Sequence, residues 1–466
     1  MIFTHRHNNL LDLDSYKGGH FLQYPPEMSY MHSYMESRQG SLYPQSVFFG
    51  LSPFLQEYLC RGFDIGDVEE AADLFKLHGP SFPKEEFLQM LEDHNGAFPV
   101  LIRAVPEGTV VPESQAMMTI ESTDPKYPWI VNYLETQLTR LWYPITVATQ
   151  SYECKKMIKA FLDHTSDNPD AELPFKLHDF GSRGVSSRES AAIGGLSHLV
   201  SFRGTDTVQA LVQARKYYGC EMAGFSIDAA EHSTITSWGK ENEAAAYRNM
   251  LKVLGRLGGI IAVVSDSYDI WNAISHIWGE ELKQEVIDSG VTVVIRPDSG
   301  EPTQVVMKCL RLLEEKFGCT VNSKGYKVLN HVRVIQGDGI NRDTIYDILV
   351  ELTAAGYSTT NIAFGMGGAL LQKVDRDTQK MAIKCSYIKL GALGERDVFK
   401  SPVDDKGKVS KKGVLELVER NGKKITVRRE EVNPETDKCL FVPYFRDGLL
   451  LYNENLETIR TRLDSQ

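Results

Sequence analysis

The chain has 466 residues, 42% apolar and 24% charged. That composition excludes a disordered or fibrous protein, and the length exceeds one ordinary core, so two domains are expected. A net charge of −11 argues against broad binding to nucleic acid or an anionic membrane, and an anionic substrate then needs a locally basic pocket.

The first twenty residues lack the apolar core of a signal peptide, and no run approaches the ~20 apolar residues of a spanning helix, which predicts a cytoplasmic protein. Seven cysteines (Cys60, Cys154, Cys220, Cys309, Cys319, Cys385 and Cys439) are scattered, odd in number and never paired as C-x-x-C. This disfavours a disulfide framework or a cysteine zinc site, and they read as reduced packing residues.

Residues 1–150 alternate short apolar stretches with proline- and glycine-rich turns, and read as an α+β segment with a helix near Trp129 to Leu141. From 151 to 385 a different rhythm predicts a parallel β/α barrel-like catalytic domain: apolar strand, polar tip, helix, strand. Residues 386–466 return to short strand-like pieces such as GVLELVER and KKITVRREE, expected to pack with the N-terminal segment into one discontinuous α+β domain.

Within the barrel-like segment, FKLHDFGSRGVSS sets Phe180 and Arg183 beside a glycine turn. Phe180 suits either the core or one face of a stack on a flat ring, whose polar substituent Arg183 can bind. HLVSFRGTDT ends at Asp206, where a carboxylate would accept an N–H from an aromatic amide and repel an acid. AAEHSTIT brings His232, which reads as a structural or cap histidine, or as a nucleophile or acid–base group; no second ligand stands at metal spacing. GGIIAVVSDSYD ends in Asp266 and Asp269.

VTVVIRPDSG suits a strand buried on both faces that opens into Arg296 and Asp298, which read either as a strand-end turn with a surface ion pair or as a fork for phosphate oxygens and a ligand for ribose hydroxyls or hydrated Mg²⁺. The helix predicted next places Val306, Cys309, Leu310, Leu313 and Phe317 on one face, and its polar start, next to Pro302, offers N–H groups to an anion. RVIQGDG ends in Gly337 and Asp338, followed by a helix behind a cap at Asn341. In NIAFGMGG, the glycines Gly365 to Gly368 let backbone approach a phosphate, although any tight turn reads similarly. Neither a Walker loop nor a first-turn G-x-G-x-x-G is present.

These motifs, with LDSYKGGH, QYPP, WYPITVAT, NSKGYK, LLQK, KCSY and VFK, run in one order through nearly the whole chain and resemble the nicotinamide phosphoribosyltransferases. The resemblance implies transfer of a phosphoribosyl group from phosphoribosyl pyrophosphate to nicotinamide, giving nicotinamide mononucleotide and pyrophosphate, in NAD biosynthesis. It implies a homodimer in which Phe180 and Tyr16 of the second subunit sandwich nicotinamide, and Asp206 accepts the amide, with Arg183 and Arg296 nearby. Arg296, Asp298, Gly337 and Asp338 would hold ribose and phosphates, with Asp266 close to Arg296, and Gly367 and Gly368 would cradle the 5′-phosphate. Arg38, Arg376, Lys384 and Lys400 match positions that gather pyrophosphate charge, and His232 matches the histidine that ATP phosphorylates. Mg²⁺ would be held through water by Asp298. The sequence departs from the animal pattern at Ser182, where a tyrosine often stands, at Ala369, which replaces a third glycine, and in a short loop after Arg38.

Overall fold

The computed structural model describes residues 7–256, 258–401 and 409–466; the first six residues of the polar N-terminal stretch lie outside them. It separates into two units, one of Met1–Thr149, Arg215–Cys220 and Asp375–Gln466, the other of Gln150–Ala214 and Glu221–Val374.

The first unit is built on an antiparallel sheet of seven strands, ordered Glu395–Asp397, Met381–Leu390, Met28–Ser37, Ala116–Ser122, Val100–Ala104, Val442–Arg446 and Leu449–Leu450. Chain-end and chain-start strands are thus interleaved. The boundary expected at 385 is corrected: Met381–Leu390 pairs with Met28–Ser37 along its length, so the chain from Asp375 onward belongs here. Residues 215–220 also join this unit, because Tyr218 donates to the buried carboxylate of Glu107 (2.8 Å) and stacks on Phe49. The helix expected at Trp129 to Leu141 is two short pieces, Ile130–Tyr133 and Glu135–Thr139, separated at Leu134.

The second unit is a barrel of parallel strands. In chain order these are β1 (Leu177–Asp179), β2 (Gly204–Thr205), β3 (Ile260–Val264), β4 (Thr292–Arg296), β5 (Val332–Gln336) and β6 (Ile362–Met366), laid out as β2-β1-β6-β5-β4-β3. Residues 223–230 join the two edges. Phe225 exchanges hydrogen bonds with Arg203 and Thr205 beside β2, and Ala262 on β3 bonds to Asp228 and Ala230, both as parallel bridges.

Successive side chains on β4 point oppositely. Val293 and Ile295 are fully buried, while Val294 joins Ala262, Ile335, Phe180 and Ala363 in a separate small cluster inside the barrel. Alanines at two of these inward positions leave space for a cavity of about 590 Å³. Outside, α1 (Arg188–His198), α2 (Pro302–Phe317) and α3 (Arg342–Ala354) cover the strands. The predicted face Val306, Cys309, Leu310, Leu313 and Phe317 on α2 is buried, as are Ile345, Ile348, Leu349 and Leu352 on α3, and the expected cap Asn341 holds the start of α3 through a reciprocal pair with Thr344. The start of α2 differs from expectation, since Glu301 accepts the Thr303 and Gln304 N–H groups and thereby occupies the place foreseen for a bound anion. Among the described residues no helix is long and apolar enough to cross a membrane.

Candidate active site

The carboxyl ends of the barrel strands share one rim, as the topology requires of a parallel ring. At the end of β1, the Phe180 N–H donates to Met366 O (3.0 Å), tying the tip of β1 to β6. The Phe180 ring lies over Gly365, where only glycine fits, since a methyl there would meet its carbons at 2.0 and 2.2 Å, and beside Gly337, where a methyl would lie at 3.4 Å. The next turn, Ser182–Gly184, carries Arg183 and brings Gly184 against Gly368, where a methyl on Gly184 would lie 3.3 Å from Gly368 Cα. Gly368 itself faces open space, with no heavy atom within 4 Å of an added methyl, so there is room for a ligand there.

Beyond β2, the Asp206 N–H donates to Asp179 O (3.0 Å), and its carboxylate accepts the Ser226 hydroxyl (2.5 Å). Phe180, Asp206, Ser226 and Arg296 all line the barrel cavity. Arg296 approaches Asp298 at 3.9 Å, and its Nε–H is buried without a partner. A buried guanidinium donor left open is costly, and a bound acceptor would satisfy it.

His232 opens a five-residue helix directly after the closing stave. Its Nε2 lies 2.9 Å from Asp266 Oδ1, and its Nδ1 lies 3.9 Å from Asp298 Oδ2. The other Asp266 oxygen accepts the Asp298 N–H (3.0 Å) and the Ser299 hydroxyl (2.6 Å). Burial alone would raise the Asp266 pKa, but Ser299, His232 and the Asp298 N–H hold it below the ordinary value. Asp298 goes the other way. Its pKa is raised, first by burial and then by the charges of Asp266 and Asp338, against the pull of Arg296 and His232. Asp266 therefore orients His232 rather than pairing with Arg296, whose ion pair is with Asp298. Asp269 caps the short helix after β3 by accepting from Trp271 and Asn272.

The rim thus gathers Phe180, Arg183, Asp206, His232, Asp266, Arg296, Asp298, Gly337, Asp338, Gly367 and Gly368 in the second unit. Tyr16, Arg38, Arg376, Lys384 and Lys400 belong to the first. There Tyr16 is 60% exposed. Lys384 has a lowered pKa, chiefly through burial; Glu135 opposes this, while the charges of Arg38, Arg376 and Lys400 add to it, so the four cations form one basic cluster. Sequence reasoning passed over Asp179, Ser226 and the particular task of Gly365. Ser226 lies in a short stave where Phe225, Ile227 and Ala229 alternate with Ser226 and Asp228, a strand signal that was not read, and Gly365 was read only as part of a phosphate turn.

The fold has solved counterparts. A nicotinate-nucleotide pyrophosphorylase from Pyrococcus furiosus superposes with a TM-score of 0.63 at 15% identity, covering 100% of this chain and 98% of that one. Residues 175–435 match the nicotinate phosphoribosyltransferase family, and residues 8–102 match the nicotinamide phosphoribosyltransferase N-terminal domain. A protein of Xanthomonas campestris pv. campestris named nicotinamide phosphoribosyltransferase is 53% identical over 463 residues, covering 98% of each chain. One of that name from Acinetobacter baylyi is 32% identical over 500 residues, covering 99% of this chain and 98% of its own. The chain belongs to the nicotinamide phosphoribosyltransferase family.

Proposed function

We propose that this protein transfers the 5-phosphoribosyl group of phosphoribosyl pyrophosphate to nicotinamide, forming nicotinamide mononucleotide and pyrophosphate for NAD biosynthesis. One observation carries the reading: the Phe180 ring and the Asp206 carboxylate line a single cavity with an arginine whose buried Nε–H lacks a partner. A planar ring stacks on the first, its amide N–H₂ donates to the second, and a substrate oxygen accepts from the third. The ribose C1–O bond to pyrophosphate breaks, the pyridine nitrogen supplies the electron pair for the new C1–N bond, and the leaving group carries away the negative charge. The pyridine nitrogen bears no proton, so no general base is needed. Positioning and charge stabilisation supply the acceleration.

Asp298 and Asp338 then act through charge, holding ribose, and Gly367 and Gly368 leave space for the 5′-phosphate. The residues present fit Mg²⁺ of the hydrated kind. Among the described residues no three metal-binding side chains converge, yet Mg²⁺ commonly binds through one or two carboxylates, water and substrate phosphates, and Asp298 sits among like charges that a cation would relieve. When bound, Mg²⁺ neutralises charge on the pyrophosphate. ATP stimulation fits His232: in the tautomer that donates Nε2–H to Asp266, Nδ1 keeps its lone pair for the γ-phosphoryl group, and ADP leaves. The basic cluster of Arg38, Arg376, Lys384 and Lys400 suits pyrophosphate, and Tyr16 would reach the site of the second subunit of a homodimer. The free state of all seven cysteines suits a cytoplasmic location.

The test compares nicotinamide, nicotinate and quinolinate as acceptors with phosphoribosyl pyrophosphate and Mg²⁺, in wild type and Asp206→Asn. A site built around an amide donor rejects the acid by roughly 10⁴-fold when its polar groups go unpaired, so nicotinamide should dominate in wild type. The variant should lose nicotinamide use and gain nicotinate use relative to it. Wild-type preference for an acid, or an unchanged ratio in the variant, refutes the reading.

A further inference from the structure

Asp179 ends β1 at 0% exposure and touches both sides of the cavity mouth. Its Oδ1 accepts the Gly181 N–H (2.7 Å), while its main-chain carbonyl accepts the Asp206 N–H (3.0 Å). Phe180 lies between those two bonds and is tied on its own account to Met366. The second carboxyl oxygen, Oδ2, is buried with no partner in strict hydrogen-bond geometry, and so is the Thr207 hydroxyl. The Thr207 side chain, whose hydroxyl helps hold the Asp179 pKa down, lies beside Oδ2 under α1: a methyl on Gly195 would come 3.0 Å from Oδ2 and 3.1 Å from Thr207 Cγ2. Burial raises the Asp179 pKa to about 6; the Gly181 N–H and the hydroxyls of Thr207 and Thr205 oppose the rise, and the Asp206 charge adds to it. A buried carboxyl is expensive to keep, and the phosphoribosyl transfer gives this one no chemical step. What it does is add, through its carboxyl, a hold on the Gly181 turn to the main-chain bond that already ties residue 179 to Asp206.

We propose that Asp179 is the positioning residue of the nicotinamide clamp: its carboxyl holds the Gly181 turn and faces Thr207, its carbonyl holds Asp206, and together they fix the separation of the stacking ring from the amide acceptor. This rests on the reading of the mouth as the nicotinamide site. Asp179 acts only through Phe180 and Asp206, so its loss should appear in nicotinamide binding and spare phosphoribosyl pyrophosphate, whose groups meet the other tips.

The experiment measures KM for each substrate, kcat and melting temperature in Asp179→Ala, Asp179→Asn and Thr207→Val. Asp179→Ala is expected to raise the nicotinamide KM about tenfold, the size set by one hydrogen bond to a charged acceptor, with little change for phosphoribosyl pyrophosphate. Asp179→Asn keeps an oxygen for the Gly181 N–H and should recover most of the loss. Thr207→Val keeps the volume, removes the hydroxyl and should raise the nicotinamide KM alone by a few-fold, which carries the test if Asp179→Ala does not fold. Equal rises in both KM values, an asparagine variant as impaired as a variant lacking the carboxyl, or a Thr207→Val enzyme with unchanged nicotinamide KM overturns the proposal. Wild type that makes no nucleotide from nicotinamide defeats the reading of the site itself, a separate and distinguishable failure.

Discussion

Gly365→Ala isolates how the pyridine-stacking surface is held. Gly365 lies inside β6 and lacks the positive φ that would make alanine strained, so the backbone tolerates the change. The added methyl, however, would stand 2.0, 2.2 and 2.8 Å from three carbons of the Phe180 ring. Carbon atoms rest at about 3.5–4.0 Å, so the ring must retreat by roughly 1.5 Å. A displacement of ~1 Å in a positioning group can cost ~10²-fold, equivalent to about 2.7 kcal/mol of transition-state stabilisation. We therefore expect kcat/KM for nicotinamide to fall about a hundredfold in steady-state assays at saturating phosphoribosyl pyrophosphate. Gly337→Ala is the control, because its methyl would meet the same ring at 3.4 Å, close to an ordinary contact, and should cost far less. Equal effects in the two variants, or a Gly365→Ala enzyme with near-normal nicotinamide kinetics, would refute the argument that glycine here exists for the ring.

Three further outcomes are expected, two from the proposed function and one from the burial of Asp179. His232→Ala should take up no acid-labile label from γ-labelled ATP; label that persists moves the acceptor to another residue. Tyr16→Ala and Asp298→Ala homodimers should each be nearly inactive, whereas mixing them under subunit exchange should restore at most about half the wild-type activity per mixed dimer, because one of two symmetric sites carries neither lesion; no recovery, with exchange confirmed by mass, places both residues in one subunit's site. Asp179, whose pKa rises from 3.8 to about 6 on folding, binds more protons folded than unfolded, so its favourable contribution is complete below the unfolded value and is lost as pH rises through about 6. Denaturant unfolding should then show Asp179→Asn gaining on wild type as pH rises from about 3.5 to 7, by at most about 3 kcal/mol and with little further change above, and a constant difference across that range would contradict the burial of an ionisable carboxyl.

Much of the barrel is legible in the sequence, because its signals are local. Val293 to Ile295 form a continuous apolar run within one strand, Leu310 and Leu313 repeat at helical spacing, and Asn341 and Thr344 lie three residues apart, so each pattern falls within the reach of propensity and periodicity. The polar tips after β1 to β6 follow from the same strand endings, and the ordered motifs carry the family resemblance. Tertiary structure alone decided the rest. Residues 223–230 link the edge strands through single bridges on either side; Phe225, Ile227 and Ala229 alternate as in a strand, but which edges they meet is not in the spacing. Glu301 occupies the start of α2 because a carboxylate one residue before a helix can reach its free N–H groups. Residues 375–385 pass to the first unit because their partner strand lies more than three hundred positions earlier. Phe180 rests on Gly365, and Asp179 bonds to Asp206, across separations that residue spacing does not encode. Local sequence sets φ, ψ and which face is apolar; which tips then meet is settled only when the parallel strands close on one another.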